Sequence, residues 1–352
     1  MPTFTAEQLK RVGIAIFEAA GTPSDEARQT VELLVKSNLC GHDSHGVRRI
    51  PEYIDKILNG LCKPRSEIKV VRESATTALV DGCWGLGQVV AMKTMKLAIG
   101  KAEKYDVGMV STFNCCHMGR MADYALMAVP HDMIGICLAI GHGRMAPYGG
   151  VEPILNTSPV GIAIPAGKEP PFVLDISMAV CAAGKVMHAL EKGEDLPEGY
   201  IIDKEGKPTT NPEDYLKGGA ILPFGGPVAY KGYGLAMVVD ILAGILSGRG
   251  SAFDPTRREQ GIFQMAIKIE AFQPVDEFKA NVDRLIRRIK KSKRAAGFEE
   301  ILIPGEIELR NEKKNLERGI EVPEKTWNGI LQTAKRLNVD VESLLSNRST
   351  KT

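Results

Sequence analysis

Residues 40–54 read CGHDSHGVRRIPEYI, and this segment governs how the chain is arranged on either side of it. Gly41 and Gly46 enclose two histidines, an acid and a serine, so the backbone is predicted to turn here instead of continuing as helix. A histidine on such a turn, like His45, can exchange protons near neutral pH, and Arg49 can clamp a carboxylate. The pattern suits chemistry on a small oxo or hydroxy acid, although the same loop also fits a purely structural role in capping helices.

The composition of the 352-residue chain is that of an ordinary globular protein, with 44% apolar and 25% charged residues. A net charge of +2 is too small to indicate binding to nucleic acid or to an anionic membrane surface. No apolar run reaches the roughly 18–20 residues of a membrane span, and a signal-peptide core is not evident. The seven cysteines include no C-x-x-C pair, which argues against a disulfide framework. We therefore expect a cytoplasmic protein with neither nucleic-acid nor membrane partners.

Helical signals dominate the first sixty residues. A capping box, T-A-E-Q at 5–8, starts an apolar repeat that ends at Gly21. A second amphipathic helix, 25–39, leads into the histidine loop (residues 42–49), and a third helix is predicted at 52–58. Short β-rich runs follow between 68 and 80.

The glycine-rich run DGCWGLGQ at 81–88 lies between a strand signal and a helix at 89–105. Strand, glycine loop and helix occur in this order in dinucleotide-binding units, and Gly85 and Gly87 match G-x-G. However, Val90 occupies the sixth position, and no acid closes a second strand about 20 residues further on. We predict a packing turn here and no standard Rossmann unit.

The rest of the chain alternates strand and helix signals. Strands are predicted at 107–113, 160–164, 172–176 and 264–269, a helix at 178–190, and a surface excursion at 191–219. A second glycine-rich loop, 222–234, leads into an apolar helix at 235–246. Because that helix lacks a polar face, it is predicted to be buried between layers or at a subunit interface.

Three further loops carry side chains suited to catalysis or binding. His117 follows a strand directly and can point into a cleft, although a buried histidine bonded to backbone is commoner. Asp175 can accept from a ribose hydroxyl, orient a histidine or cap the next helix. Lys231 can neutralise a bound anion where Gly232 and Gly234 let the backbone approach a ligand, or it is an ordinary exposed lysine. Cys115 and Cys116 beside His117 suggest a metal, but adjacent cysteines seldom converge on one ion, so none is expected.

Together these loops resemble the type-2 malate/L-lactate dehydrogenase family of NAD(P)-dependent 2-hydroxyacid oxidoreductases. The matching motifs are GHDSHGV at 41–47, DG…GxGQ at 81–88, NxxH at 114–117, TSP at 157–159, DIS at 175–177, YKGYG at 230–234 and PGE at 304–306. Each motif is weak alone, whereas their order and spacing are specific. The runs HMGRM at 117–121 and ERGI at 317–320 most resemble the bacterial hydroxycarboxylate dehydrogenase branch.

The resemblance implies a non-Rossmann α/β fold with a mixed, largely antiparallel sheet flanked by helices. Residues 1–70 and 271–352 are expected to form a helical domain from both termini, and residues 71–270 the nicotinamide-cofactor-binding domain. The resemblance also implies a homodimer with the active site between domains and near the partner subunit. The cofactor is expected to be NAD or NADP, and the sequence does not decide between them.

The resemblance also assigns roles to individual residues. His45 matches the family's leading proton donor or acceptor, and His117 a histidine that is catalytic in other members, so the principal donor is left open. Ser44, Arg49 and Tyr53 match substrate-side positions. Cofactor contacts are matched by Val173, Leu174, Asp175, Ile176, Ser177, Tyr230, Lys231, Gly305 and Glu306. The chain departs from the family at Ser158, commonly Asn, and at Gly141, often a small hydroxyl residue, so contacts there are expected to differ.

The reaction implied is reversible hydride transfer between NAD(P) and a 2-hydroxy or 2-oxo acid. Malate, lactate, 2-oxoglutarate and aromatic 2-oxo acids all fit a clamp made by Arg49, so the sequence does not fix the substrate. Two other hypotheses remain open. One is a catalytically silent nucleotide-binding or scaffold protein on the same fold, and the other is a metal-dependent hydrolase that uses the histidines.

Overall fold

A computed structural model describes residues 1–254 and 260–346 of the chain. The helices in this part are α1 (Ala6–Ala19), α2 (Ser24–Leu39), α3 (Ile50–Leu58), α4 (Gly87–Tyr105), α5 (Ala122–Ala125), α6 (Ala183–Lys192), α7 (Pro212–Leu216), α8 (Tyr230–Val239), α9 (Val275–Lys290), α10 (Glu306–Arg318), α11 (Glu324–Arg336) and α12 (Val341–Ser346). A π-helix, Asp240–Ile245, continues α8. None of the described helices has the length and apolar character needed to cross a lipid bilayer.

A seven-stranded sheet forms the centre of the molecule. The strands of all the sheets in the described residues, in chain order, are β1 (Thr3–Phe4), β2 (Lys69–Glu73), β3 (Thr77–Gly85), β4 (Val107–Cys115), β5 (Met133–Ile140), β6 (Val160–Ile164), β7 (Phe172–Ile176), β8 (Ile201–Ile202), β9 (Pro208–Thr209), β10 (Ala220–Ile221), β11 (Gln260–Lys268) and β12 (Ile320–Glu321). The central order is β2-β3-β4-β11-β5-β6-β7. Strands β3 and β4 run parallel, while the other neighbouring pairs are antiparallel. This confirms the predicted α/β class with a mixed, largely antiparallel sheet flanked by helices.

The capping box at the start of α1 forms as predicted. The Thr5 hydroxyl accepts from the Gln8 backbone N–H at 3.2 Å, and the Gln8 side chain accepts from the Thr5 N–H at 2.9 Å. Two otherwise unpaired backbone donors are thereby satisfied. The helix then buries Leu9, Val12 and Ile16 on one face, which is the spacing read from the sequence.

The two ends of the chain share one hydrophobic core. Strands β1 and β12 pair antiparallel, and the rings of Phe4 and Trp327 lie 4.2 Å apart between centroids. The same core takes in Val31 from α2, Ile54 from α3 and Ile330 from α11. The division into domains near residues 70 and 270 stays a prediction.

Several elements differ from their sequence-based boundaries; strand β11, for example, begins at Gln260 and not at 264. Helix α6 begins at Ala183, not near 178, because the Met178 and Val180 backbone N–H groups bond to Thr157 and Leu222 carbonyls instead. The excursion at 191–219 folds back as α7 and a small sheet of order β10-β8-β9. Helix α8 begins at Tyr230, within the predicted glycine loop, so the last two glycines of that loop, Gly232 and Gly234, are helical.

The glycine-rich run at 81–88 packs closely, as predicted, but it is not a separate turn, because residues 81–85 continue β3 and only Leu86 links that strand to α4. A Cβ on Gly87 would lie 2.3 Å from the Cys116 carbonyl oxygen and 2.4 Å from that of His117. A Cβ on Gly85 would meet Ser66 at 2.7 Å. The glycines therefore allow α4 to start directly against the loop that carries His117.

Candidate active site

The histidine loop is a pair of 3₁₀ turns, Asp43–His45 and Val47–Arg49, set between α2 and α3. Asn38, in the last turn of α2, holds both: its amide N–H donates to Asp43 at 2.6 Å, and its carbonyl accepts from the Val47 N–H at 2.8 Å. A Cβ on Gly46 would lie 2.2 Å from the Asn38 side chain, so this position requires glycine. Asn38 was not predicted as a site residue, although an asparagine at a helix end is a recognisable capping candidate.

The two predicted catalytic histidines come from distant segments and lie side by side. The rings of His45 and His117 stack with centroids 5.5 Å apart and an interplanar angle of 19°. His45 Nδ1 lies 3.0 Å from the Ser44 hydroxyl oxygen, which fixes one edge of that ring. The fold thus joins the histidine loop to the end of β4 in one cluster.

Arg49 is fixed by two contacts at the edge of this cluster. Its Nε donates to the Ser44 carbonyl at 2.7 Å and its Nη1 donates to Glu52 at 2.6 Å. Glu52 also accepts from Lys56 at 2.7 Å. The Arg49 side chain remains 26% exposed, so a carboxylate can approach it.

Tyr53 lies behind His117 and is only 3% exposed. Its hydroxyl oxygen is 2.5 Å from His117 Nδ1 and accepts from the Gln88 side-chain amide at 3.2 Å. Gln88 follows Gly87 at the start of α4 and is 1% exposed. Gln88 was not predicted as a site residue, because nothing in the neighbouring sequence indicates that this glutamine reaches a tyrosine 35 residues away.

The surroundings of both histidines favour their neutral forms. Burial is the main cause that lowers the pKa of His45 to about 3, and the charge of Arg49 adds to it. Burial and Arg49 likewise hold the pKa of His117 well below its usual value. For Glu52, burial and the neighbouring charges act in opposite directions. Burial raises the pKa of the carboxyl, but the charges and hydrogen bonds of Arg49 and Lys56 lower it further, so the net shift is downward. The site therefore presents two neutral imidazoles beside a fixed guanidinium.

Three of the predicted cofactor residues, Val173, Asp175 and Gly305, line a cavity of about 70 Å³. The Val173 N–H donates to the Pro304 carbonyl at 3.2 Å, which joins β7 to the start of α10. Gly305 has φ +98°, and a Cβ there would lie 3.0 Å from the Val173 side chain. The Asp175 carboxyl accepts from the Ala122 N–H at 2.8 Å, and burial raises its pKa to about 6.

The other predicted cofactor residues occupy varied positions. Leu174 and Ile176 belong to β7, and the Ser177 hydroxyl donates to the Ala179 carbonyl at 3.1 Å. The Glu306 carboxylate, at the start of α10, accepts from the N–H of Ile303 in the preceding loop at 3.0 Å, and it pairs with Lys290.

Tyr230 and Lys231 lie in the first turn of α8. The Tyr230 ring makes an edge contact with Tyr148, centroids 6.1 Å apart, and Lys231 Nζ is 6.0 Å from the Tyr230 centroid. Within the described residues, neither of these ring contacts involves the histidine cluster.

The two positions that depart from the family pattern take part in loop structure. Ser158 has φ +47°, and its N–H donates to the Asn156 side chain at 3.0 Å. The Gly141 carbonyl accepts from Arg249 at 3.1 Å, and a Cβ at Gly141 would come within 3.3 Å of the Asn156 amide. In the described part of the chain, no group of three or more histidine, cysteine, aspartate or glutamate side chains is arranged to hold a metal ion.

The chain matches the malate/L-lactate dehydrogenase family over residues 4–331. It is 41% identical over 345 residues to the L-sulfolactate dehydrogenase of Methanocaldococcus jannaschii, covering 96% of this chain and 98% of that protein. Hydroxycarboxylate dehydrogenase B of Escherichia coli O157:H7 is 30% identical, with 97% and 96% covered. The solved malate dehydrogenase of Entamoeba histolytica has a TM-score of 0.92 at 30% identity, covering 96% and 99% of the two chains.

The chain therefore belongs to the malate/L-lactate dehydrogenase family, as the sequence motifs predicted. It is an oxidoreductase of 2-hydroxy acids, and its family implies a nicotinamide cofactor. The hydroxycarboxylate dehydrogenase resemblance is also confirmed, although the archaeal sulfolactate dehydrogenase has the higher identity of the two.

Proposed function

We propose that the chain interconverts a short, doubly anionic 2-hydroxy acid and its 2-oxo acid at the cluster of His45, His117 and Arg49. The observation that carries this proposal is the convergence of two neutral imidazoles and a fixed guanidinium from two distant segments, the histidine loop and the end of β4. The bound nicotinamide supplies or accepts the hydride. The residues of the chain bind the acid, orient it and move one proton.

In this proposal Arg49 holds the carboxylate next to the reacting carbon. The Glu52 and Ser44 contacts orient the guanidinium before the substrate arrives, which reduces the cost of ordering it. The bound carboxylate also offsets the positive charge that depresses the histidine pKa values. Substrate binding therefore raises the pKa of His45 and lets it carry the proton that the nascent alkoxide takes up.

A second negative charge on the substrate fits the electrostatics of the loop. The charges of Arg49, Arg120 and Arg48 all act to lower the pKa of His45, so three guanidinium groups contribute positive potential at this ring. Relatives of the chain are called sulfolactate and malate dehydrogenases, and both acids named there are dianions. We therefore favour sulfopyruvate-like or oxaloacetate-like substrates over pyruvate or aromatic 2-oxo acids.

The cavity beside β7 fits part of the dinucleotide. Arg120, 6% exposed, lines it, and its Nε and Nη1 have no hydrogen-bond partner among the described residues. Buried donors of this kind favour a polar or anionic ligand group. Val173, Asp175 and Gly305 would hold the cofactor there, with Leu174, Ile176, Ser177 and Glu306 beside them and Tyr230 and Lys231 contacting it from α8. NAD and NADP both remain candidates for this position.

We also propose a homodimer that forms through α8 and the π-helix after it. Leu235, Val238, Ile241, Ile245 and Leu246 are each 48–57% exposed and recur at helical spacing. A contiguous apolar face of this kind is uncommon on a monomer and is typical of an interface. A second copy of the chain is the partner we assign, since the same helix begins with Tyr230 and Lys231 and would bring the interface to the cofactor.

A cytoplasmic location is the final part of the proposal. All seven cysteines are free thiols in the described structure. Free thiols agree with a reducing compartment.

The proposal is tested by a screen of cofactor against substrate. NADH and NADPH oxidation would be followed by absorbance with oxaloacetate, sulfopyruvate, pyruvate, 2-oxoglutarate and phenylpyruvate. We expect kcat/KM for the short dianions to exceed that for pyruvate by about 10- to 100-fold, the value of one or two charged hydrogen bonds. Equal rates for pyruvate would remove the dianion assignment. Cofactor binding without turnover of any 2-oxo acid would instead support the silent-scaffold hypothesis.

A further inference from the structure

The hydrogen bonds behind His117 form a short chain that ends at a buried amide. Tyr53 stands between Gln88, at 3.2 Å, and His117 Nδ1, at 2.5 Å. Both Tyr53 and Gln88 are almost completely buried, so water does not compete for these bonds. The orientation of the Gln88 amide therefore controls where the protons in the chain lie.

The amide orientation follows from which end of Gln88 is left unpaired. Gln88 Nε2 donates to the Tyr53 oxygen, and Gln88 Oε1 has no partner among the described residues. Reversing the amide would leave N–H donors unpaired at that same dry position. A buried unpaired N–H is rarer and costlier than an under-satisfied carbonyl, so the donating orientation is the favoured one.

This orientation determines the tautomer of His117. Because the Tyr53 oxygen accepts from Gln88, its own hydroxyl proton is directed at His117 Nδ1. A neutral imidazole that accepts at Nδ1 carries its proton on Nε2, on the side of the ring away from Tyr53. The depressed pKa of His117 agrees with a neutral ring.

We propose that Gln88 is a positioning residue that acts through Tyr53 to hold His117 as a neutral Nε2–H donor toward the substrate oxygen. This inference rests on the proposed function and divides the work of the two histidines. His117 polarises the carbonyl and stabilises the developing oxyanion by hydrogen bonding, while His45 transfers the proton. Tyr53 then supports the histidine from behind and is not itself required to contact the substrate.

A kinetic test uses Gln88→Leu, Tyr53→Phe and the double variant. In each variant the Nε2–H group of His117 is no longer held toward the substrate oxygen, which should lower kcat by about 100-fold. The KM for the oxo acid should change little, because Arg49 still binds the carboxylate. Since Gln88 acts through Tyr53, Gln88→Leu should cost nothing further in the Tyr53→Phe background. Independent, multiplicative losses would overturn the inference.

Thr94→Val is the matched control. Thr94 is also buried in α4 and donates to Gln264 at 2.6 Å, but it does not contact His117. We expect it to lower the thermal midpoint without a comparable loss of kcat. A loss of kcat as large as that of Gln88→Leu would show a merely structural effect and would overturn the proposal.

A readout independent of turnover is the ¹⁵N NMR spectrum of histidine-labelled protein, which has six histidines per chain. The inference predicts the Nε2–H tautomer for His117 in the wild type and loss of that preference in Gln88→Leu. A wild-type Nδ1–H tautomer would overturn it. If wild-type protein turned over no 2-oxo acid, the proposed function would fail, whereas the tautomer would still report on the hydrogen-bond chain.

Discussion

At the residue scale, burial and the positive charge of Arg49 are the two largest effects on the charge of the histidine pair. Both effects act on His45 and His117 in the same direction, and both lower the pKa. Both rings are therefore neutral, with one N–H each, at neutral pH in the free enzyme. An anionic substrate that pairs with Arg49 reverses one of these effects, which links proton uptake to substrate binding.

The depressed pKa of His45 has a consequence for stability. The unfolded chain has an ordinary histidine pKa near 6.5, whereas the folded value is about 3. Protons therefore bind the unfolded state preferentially below pH 6.5, and stability falls with decreasing pH by up to about 1.4 kcal/mol per pH unit for each such histidine. Urea midpoints measured between pH 7 and 4 should fall less steeply for His45→Gln than for wild type.

The control for this titration is His131→Gln, which alters an exposed histidine paired with Glu103. Its midpoints should follow the wild-type pH dependence. Identical slopes for wild type and His45→Gln would contradict a neutral, buried His45.

Arg49→Lys tests the carboxylate clamp. Lysine keeps the charge but loses the planar fork that can bind Glu52 and a carboxylate together. We expect KM for the oxo acid to rise by about 10- to 100-fold, with a smaller change in kcat. The matched control is Arg72→Lys on the exposed strand β2, which should leave steady-state kinetics unchanged. An unaltered KM in Arg49→Lys would remove Arg49 from the substrate site.

At the element scale, the start of α4 fixes the position of His117. Gly87→Ala would drive a Cβ to within 2.3 Å of the Cys116 carbonyl oxygen, so the helix and the His117 loop must separate. We expect a loss of at least about 10-fold in kcat/KM, because small displacements of catalytic groups are costly.

Gly100→Ala, in the same helix, is the matched control, since a Cβ there meets nothing within 4 Å. It should be neutral or stabilise the protein by roughly 0.5–1 kcal/mol through helix propensity. Activity of Gly87→Ala equal to that of Gly100→Ala would show that the close approach is unimportant.

Local chemistry explains which elements the sequence could predict. The turn at Gly41 and Gly46 and the capping box at Thr5 depend on neighbouring residues, and both were predictable. The start of α6 was not, because the backbone of Met178 and Val180 bonds to residues remote in sequence. Gln88 was missed for the same reason, because its partner Tyr53 lies 35 residues away. Asn38 bonds to Asp43 and Val47 nearby in sequence, so its capping role was predictable.

At the scale of the whole molecule, the apolar face of α8 predicts the assembly. Ile241→Asp with Ile245→Asp places two charges on the proposed interface, and burying unpaired charges is strongly unfavourable. The wild-type chain of 38.2 kDa should run as a dimer by sedimentation velocity, and the double variant as a monomer. Leu216→Asp, at an exposed leucine of α7, is the matched control and should remain dimeric. A monomeric wild type would contradict the proposed homodimer.

The whole molecule brings His45 and His117 together from segments more than seventy residues apart. We propose that this pair performs the reaction on the substrate oxygen. The most direct test is the kcat/KM of His45→Ala and His117→Ala with the preferred 2-oxo acid and NADH or NADPH, with His131→Ala as control. We predict losses of about 10²- to 10⁴-fold in both site variants and an unchanged control. Wild-type kcat/KM in both His45→Ala and His117→Ala would contradict the account.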